Sequence, residues 1–173
     1  MINFHKIIYA TLIISCFLSL SSFEIEPKVS IITSIYDGDE FIESFLQDIV
    51  QQTIFNQCEL ILINANSPGN EEVVIKPYLE RYPNIVYKRL EQDPGLYGVW
   101  NLGIKMSHGK YLTNANLDDH LRRDTYEVFS NYLDHKQDIT LVYGSYYVTN
   151  RPNESFEKNS AEIYIDIPEF SKK

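Results

Sequence analysis

Residues 29–63, VSIITSIYDGDEFIESFLQDIVQQTIFNQCELILI, contain the hydrophobic patterns that decide the fold. The stretch VSIITSI at 29–35 is rich in β-branched residues and predicts a buried strand. Residues 39–51 then place their hydrophobic side chains on one face of a helix. A second apolar run, ELILI at 59–63, predicts another strand. The order of strand, helix and strand indicates two parallel strands joined by a helical crossover.

The same alternation continues to residue 149. Beyond the second strand, the hydrophobic periodicity predicts helices at 71–81, 96–107 and 122–134, and strands at 85–90, 110–114 and 139–149. Alternating strands and helices predict an α/β fold with a mostly parallel sheet and helices on both faces. The last helix leaves Asp134 at a solvated position. We therefore predict one domain at 28–150, followed by a polar C-terminal tail at 151–173.

The first 22 residues carry a different pattern. An almost unbroken apolar run at 7–20 follows Lys6 and precedes two serines. A basic start, a short apolar stretch and small residues are typical of a secretory signal, and the run is short for a membrane span, which needs about 20 residues. Residues 1–22 are predicted to be a signal peptide or a short membrane anchor, with export or membrane association as the consequence. A lipoprotein signal at Cys16 is a third alternative.

The charge balance excludes one class of partner. The 173 residues carry a formal net charge of −9, whereas a nucleic-acid-binding protein needs a basic surface against the phosphates. No nucleic-acid partner is therefore predicted. A nucleoside diphosphate can still bind an acidic protein, because a divalent cation can bridge its phosphates to carboxylates. The two cysteines and four histidines have neither a disulfide framework nor metal-ligand spacing.

Polar segments follow four of the predicted strands, and ligands of open α/β sheets bind at the carboxyl ends of strands. These segments are SIYDGD at 34–39, NANS at 64–67, DPGLY at 93–97 and NLDD at 116–119. The adjacent carboxylates of Asp118 and Asp119 repel one another, and a divalent cation can offset that repulsion. The alternative is that the pair caps the following helix.

Taken together, four segments resemble family 2 glycosyltransferases of the GT-A fold. VSIITSIYDG at 29–38 is similar to the family's V-S-[IV]-I-[IT]-P/S-x-Y-N-G, and ELILINANS at 59–67 to E-[IL]-I-[IV]-[IV]-D-D-G-S. DPGLYGVWNLGI at 93–104 is similar to D-x-G-[IL]-Y-x-A-x-N-x-G-I. HGKYLT at 108–113, followed by NLDD, resembles G-x-Y-[IL]-x-x-[LN]-[ND]-x-D-D. Four segments in the family's order favour this interpretation over a helix cap.

The resemblance implies a binding site for a nucleoside-diphosphate sugar. Ser34 and Tyr36 would line the pocket for the base. Asn64 and Asn66 would complete that pocket, and Asp93 would contact the nucleoside. The residue between the two asparagines is an alanine, where many relatives have an acidic residue that bonds the base. The resemblance therefore leaves the nucleotide open.

The resemblance also implies a metal site. Asp118 would face the ribose or the water shell of the metal, and Asp119 would ligate Mn²⁺ or Mg²⁺ directly. The metal would neutralise the charge that develops on the leaving nucleoside diphosphate. His120, beside the pair, lies either on the surface or against phosphate.

The implied activity is transfer of a sugar from a nucleotide-sugar donor to a glycan, lipid or protein acceptor. The family's inverting reaction needs a carboxylate base, which relatives carry in a later part of the domain, so no catalytic residue is assigned. A truncated, catalytically silent nucleotide-sugar-binding module is the alternative. A phosphohydrolase would need an acidic pair directly after the first strand, and a dinucleotide dehydrogenase would need G-x-G-x-x-G there. Both fit less well.

Overall fold

The structure, a computed structural model, describes residues 26–168. Four parallel strands form its main sheet in the order β3-β2-β1-β4. They are β1 (Val29–Ile35), β2 (Cys58–Asn64), β3 (Ile85–Arg89) and β4 (Tyr111–Asn114). The helices of this part of the chain are α1 (Ile42–Val50), α2 (Glu71–Arg81), α3 (Leu96–Met106) and α4 (Thr125–His135), with a short 3₁₀ turn at Phe55–Gln57. The predicted α/β fold is confirmed.

A hydrophobic layer covers each face of the sheet. Successive side chains of a strand point to opposite faces, so Leu60 of β2 packs in one layer with Phe45 of α1 and Ile75 of α2. Its neighbour Ile61 packs in the other layer with Val99 of α3. Strands buried on both faces have continuous hydrophobic sequences, as β1 and β2 do. The prediction of helices on both faces is confirmed.

The strand register brings the carboxyl ends of the strands to one edge of the sheet. Asn64, the last residue of β2, lies opposite Ile35, the last residue of β1, and opposite Arg89, the last residue of β3. On the other side of β1, the end of β4 at Asn114 lies opposite Ile32. The polar segments that follow the strands therefore start from the same edge.

The predicted strand at 139–149 is wrong in length and in pairing. Within it, Tyr146–Val148 alone is a strand, β5, and it pairs antiparallel with β6 (Ile163–Ile165) in a separate two-stranded sheet. Leu141 is 72% exposed, so the hydrophobic residues of this run do not enter the main sheet. A short apolar run does not indicate which sheet it joins. β6 itself lies in the segment predicted as a polar tail.

The predicted location of the protein is also corrected. Between residues 26 and 168, no helix is long and apolar enough to cross a membrane, so the prediction of a membrane anchor is not supported in this part of the chain. Segment 1–22, on which that prediction depended, lies outside the described residues.

Candidate functional site

Four loops leave the main sheet at the carboxyl ends of its strands. We call them the β1 loop (residues 36–41), the β2 loop (65–70), the β3 loop (90–95) and the acidic loop (115–124). Two of the seven predicted site residues, Ser34 and Asn64, are the last or nearly the last residues of their strands. The other five are exposed on the loops: Tyr36, Asn66, Asp93, Asp118 and Asp119.

The two asparagines of the β2 segment have different environments. Asn64 is completely buried, and its Oδ1 accepts a hydrogen bond of 2.8 Å from the backbone N–H of Ser67. This side chain therefore shapes the turn that follows β2. Asn66 is exposed and has a φ of 60°, a left-handed conformation that asparagine tolerates better than most residues. The turn presents Asn66 to solvent.

The β3 loop fixes its own acidic residue. Asp93 Oδ1 accepts a hydrogen bond of 2.7 Å from the backbone N–H of Gly95. Gly95 has a φ of 74° and directly precedes α3, so this turn requires a residue without a Cβ atom. The carboxylate of Asp93 consequently sits at the start of α3, where the partial positive charge of the helix favours an anion.

In the acidic loop, a buried hydrophobic residue precedes two adjacent carboxylates that are exposed at the surface. Leu117 belongs to the hydrophobic core, while Asp118 and Asp119 on its carboxyl side are exposed. Asn116 Nδ2 donates a hydrogen bond of 2.8 Å to Asp119 Oδ2. This arrangement orients one carboxylate and presents both to solvent.

A cleft of about 620 Å³ lies beside the acidic pair. One wall comes from the acidic loop and α4, and the other from β5 and the segment that follows it. Of the seven predicted site residues, Asp118 and Asp119 line the cleft, whereas the other five do not. Its aromatic lining consists of Phe129, Tyr146, Tyr147 and Phe156, and its polar lining includes Arg122, Ser145, Thr149, Glu154, Ser155 and Asn159.

The segment after β5 is attached to α1, so the cleft has a defined second wall. Asn153 Oδ1 accepts a hydrogen bond of 2.6 Å from the Ser44 hydroxyl, and Asn153 Nδ2 donates one of 3.1 Å to the Glu40 carbonyl. Part of the segment predicted as a polar C-terminal tail therefore borders the cleft.

His120 is not a surface residue. Its side chain is 10% exposed, and its Nδ1 lies 3.4 Å from Asp48 Oδ2 on α1. Asp48 Oδ2 also accepts a hydrogen bond of 2.9 Å from the backbone N–H of Leu121. Among the described residues neither ring nitrogen of His120 has a well-aligned hydrogen-bond partner. Of the two alternatives for His120, the surface position does not hold, because Asp48, far away in the sequence, approaches the acidic loop from α1.

A hydrogen-bond network that the sequence did not indicate joins the β1 and β2 loops. Glu71, the first residue of α2, is completely buried. Its Oε1 accepts hydrogen bonds from the backbone N–H of Gly38 at 2.8 Å and from the Ser67 hydroxyl at 2.6 Å. The Ser67 oxygen in turn accepts one of 2.9 Å from the backbone N–H of Asp37. Ser67 and Gly38 belong to the quoted motifs, but an acidic residue at a helix start is too common to signal this role.

The β1 loop also contacts the acidic loop. The Cα of Gly38 faces the side chain of Leu117 so closely that a Cβ atom at residue 38 would overlap Leu117 Cδ1. Leu117 immediately precedes the acidic pair. The β1, β2 and acidic loops therefore form one connected group at the sheet edge.

A parallel sheet in the order β3-β2-β1-β4, with polar loops at one edge and an acidic pair after β4, defines a domain of the GT-A fold, the fold of nucleotide-diphospho-sugar transferases. The chain belongs to glycosyl transferase family 2, whose family model matches residues 30–172.

Known proteins agree with this assignment. The minor teichoic acid biosynthesis protein GgaB of Bacillus subtilis is 33% identical over 115 residues, which are 65% of this chain and 13% of GgaB. Residues 1–349 of S. aureus TarS, solved in complex with UDP-GlcNAc, superpose with a TM-score of 0.58 at 17% identity, over 70% of this chain and 40% of that TarS fragment. The mannosyltransferase PcManGT from Pyrobaculum calidifontis, solved with GDP-Man and Mn²⁺, superposes with a TM-score of 0.57 at 19% identity. The match covers 72% of this chain and 36% of the PcManGT chain. The chain thus spans less than half the length of each of these three proteins.

Proposed function

We propose that this chain binds a nucleoside-diphosphate sugar and a divalent metal, and takes part in transfer of the sugar to a glycan, lipid or protein acceptor. Residues 28–150 would act as the donor-binding domain and residues 151–173 as a polar C-terminal tail, part of which borders the cleft. The observation that carries the proposal is the placement of the β1, β2, β3 and acidic loops at one sheet edge. Ligands of open α/β sheets bind at such an edge.

The donor would be recognised along this edge. Ser34, Tyr36, Asn64 and Asn66 would form the pocket for the base, in which the exposed Tyr36 and Asn66 make direct contacts. Asn64 would support the pocket without touching the base, because its buried Oδ1 accepts a hydrogen bond from the backbone of the β2 loop and fixes the turn there. Asp93 would contact the nucleoside from the start of α3.

The residues of the acidic loop fit a hard divalent cation. No group of three or more His, Cys, Asp or Glu side chains between residues 26 and 168 is arranged to hold a metal by itself. Mg²⁺ and Mn²⁺ nevertheless often bind through one or two carboxylates and the phosphates of the substrate. Asp119 would be the direct ligand, oriented by Asn116, and Asp118 would face the ribose or the metal's water shell. When bound, the metal would stabilise the negative charge of the departing nucleoside diphosphate.

The cleft beside the acidic pair suits the sugar end of the donor or the acceptor. Concave sites with apolar walls and a few polar groups are typical of small-molecule binding. The rings of Tyr146, Tyr147 and Phe156 offer apolar faces, and Ser155 and Asn159 offer hydrogen-bonding groups. The carboxylates of the acidic loop border the same cleft, so a sugar held there would lie next to the phosphates.

A catalytically silent binding module is the second candidate, and one observation favours it. Glu154 is the carboxylate that the segment after β5 contributes to the cleft. Its Oε2 accepts hydrogen bonds from the backbone N–H and the hydroxyl of Ser160, at 3.0 and 2.9 Å. The backbone hydrogen bond from Ser160 is the main cause that holds the pKa of Glu154 below its ordinary value. A carboxylate with a lowered pKa is a weaker general base.

The two candidates differ in turnover. Titration calorimetry with UDP and GDP, each with and without Mn²⁺, measures nucleotide binding. Mass spectrometry of mixtures with UDP-GlcNAc or GDP-Man and carbohydrate or lipid acceptors measures transfer. Metal-dependent binding with acceptor-dependent product supports the transferase, and binding without product supports the silent module. Absence of any metal-dependent nucleotide binding would contradict both.

A further inference from the structure

The buried carboxylate of Glu71 is the centre of a network between the two loops that carry the proposed base pocket. It bonds the β1 loop through the backbone N–H of Gly38 and the β2 loop through the Ser67 hydroxyl. Ser67 then bonds back to the β1 loop at Asp37. A further hydrogen bond between the two loops has its donor on the β2 loop: Asp39 Oδ1 accepts a hydrogen bond of 2.8 Å from the backbone N–H of Asn70.

The two loops approach one another too closely for an extra side chain. A Cβ atom on Gly69 would lie 2.9 Å from Asp39 Oδ2 and 2.9 Å from Glu71 Oε1. The β2 loop is also held from its outer side, where Arg89 donates a hydrogen bond of 2.9 Å to the Ser67 carbonyl. Every polar atom of Ser67 is therefore engaged, and the position of this residue is fixed from both sides.

The ionised form of Glu71 suits this network. Burial by itself raises the pKa of this carboxyl, but hydrogen bonds from the Ser67 hydroxyl and the Gly38 backbone outweigh burial and lower the pKa. A carboxylate accepts hydrogen bonds more strongly than a neutral group does. Its second oxygen, Oε2, is buried without a hydrogen-bond partner among the described residues. The hydrogen bonds from Gly38 and Ser67 therefore favour the ionised carboxylate in its buried position, where it joins the β1 loop to the β2 loop.

We propose that Glu71 is a positioning residue for nucleotide recognition, which sets the distance between the β1 loop and the β2 loop; this inference rests on the proposed donor site. Glu71 does not touch the nucleotide. Through the backbone N–H of Gly38 and the hydroxyl of Ser67, it holds the loops that carry Tyr36 and Asn66. Removing the carboxylate releases two loops at once, because Gly38 and Ser67 lose the same acceptor.

The test compares Glu71→Ala, Glu71→Gln and the control Glu80→Gln, which changes an exposed residue of the same helix. Glutamine retains an Oε1 acceptor for Gly38 and Ser67, whereas alanine removes it. Calorimetry measures Kd for UDP and for GDP in the presence of Mn²⁺, and electron paramagnetic resonance measures Kd for Mn²⁺ alone. Each measurement is made well below the melting temperature of the variant.

For Glu71→Ala we expect Kd for the better-bound nucleotide to rise about tenfold or more, as the loss of a hydrogen bond to a charged group implies. Kd for Mn²⁺ alone should stay within about twofold of the wild-type value, because Asp119 is oriented by Asn116 of its own loop rather than by Glu71. Glu71→Gln should recover most of the nucleotide affinity, and Glu80→Gln should match the wild type.

Three outcomes would overturn the inference. A lower melting temperature with unchanged nucleotide Kd would show that Glu71 acts on stability alone. An equal loss of nucleotide and Mn²⁺ affinity would show a general disturbance of the sheet edge. If Glu71→Ala does not fold, Ser67→Ala replaces it, and unchanged nucleotide affinity in that variant would contradict the proposal. Failure of the wild-type protein to bind any nucleotide contradicts the proposed function instead, so the two failures are distinguishable.

Discussion

Asn116 orients Asp119 through a hydrogen bond of 2.8 Å between Asn116 Nδ2 and Asp119 Oδ2. We expect Asp119→Ala to abolish the strengthening of UDP or GDP binding by Mn²⁺, a loss of about tenfold or more in metal-dependent affinity. The reason is that the proposed metal has few protein ligands, so the loss of one is not compensated. Calorimetric titrations with and without Mn²⁺ measure the difference.

The control for this experiment is Asp138→Ala, and Asp134 is not suitable. Asp134 was predicted to be solvated, but it accepts hydrogen bonds from Lys110 and Tyr111 and forms a salt bridge of 3.0 Å with Lys28. Its replacement would disturb the contact between α4 and β4. Asp138 is exposed beyond the end of α4. Equal metal dependence in the Asp119 and Asp138 variants would rule out Asp119 as the ligand.

Gly38→Ala should destabilise the fold and shift the acidic loop. The new methyl group overlaps Leu117 Cδ1, and overpacking of this kind costs about 1–3 kcal/mol. Urea denaturation measures the change in the free energy of unfolding. In a double variant with Leu117→Ala the two losses should be less than additive, because the smaller side chain makes room. Strict additivity would show that the two residues do not interact.

The pH dependence of stability should report on Glu59, at the opposite end of the sheet. Burial raises the pKa of this carboxyl, but hydrogen bonds from the Ser30 hydroxyl and the His108 backbone N–H outweigh burial and lower the pKa below its ordinary value of 4.5. A group with a lowered pKa in the folded state stabilises the fold above the unfolded pKa. That contribution disappears as the pH falls through the lowered folded value.

The free energy of unfolding of the wild-type protein should therefore fall below about pH 4.5. Glu59→Gln should be less stable at pH 7 and should lose less stability on acidification, since it has no carboxylate to protonate. Urea denaturation between pH 7 and pH 3 gives both values. The same dependence on pH in the two proteins would exclude Glu59 as the source.

Asn153→Ala should detach the segment after β5, which forms one wall of the cleft, from α1. The variant loses the hydrogen bonds to Ser44 and Glu40, and its φ of 59° costs roughly 1–2 kcal/mol for alanine. We expect faster tryptic cleavage after the exposed Lys158, with little change in the melting temperature of the main sheet. Asn153→Gly, which tolerates the backbone conformation, should be cleaved at an intermediate rate. Asn150→Ala is the matched control, and cleavage of this variant as fast as that of Asn153→Ala would contradict the role of the contact.

The main sheet could be predicted from the sequence because each of its strands is indicated by a short run of neighbouring residues. Residues 59–63 predict β2, which extends from Cys58 to Asn64 in the structure, since a run buried on both faces is hydrophobic throughout. The helix at 39–51 was predicted too long. The backbone N–H groups of Phe41 and Ile42 both bond the Gly38 carbonyl, so a turn precedes α1, and hydrophobic periodicity cannot separate a turn from a helix.

Features that depend on distant partners could not be predicted. The hydrophobic residues at 146–148 become a strand only through pairing with 163–165, and a polar composition around those residues concealed the partner. Glu71 could be read only as an acidic residue in the first turn of a helix, because Gly38, its hydrogen-bond donor, is 33 positions away. The motifs indicated which loops are at the site, whereas the contacts between the loops required the structure.

The close approach of Gly38 to Leu117 has an evolutionary consequence. A substitution at one of the two residues changes the space available to the other, because a Cβ atom at residue 38 would overlap Leu117 Cδ1. A homologue with alanine or serine at the position of Gly38 is therefore expected to carry a smaller residue at that of Leu117. The first motif and the acidic loop are thus expected to vary together, through shape rather than through charge.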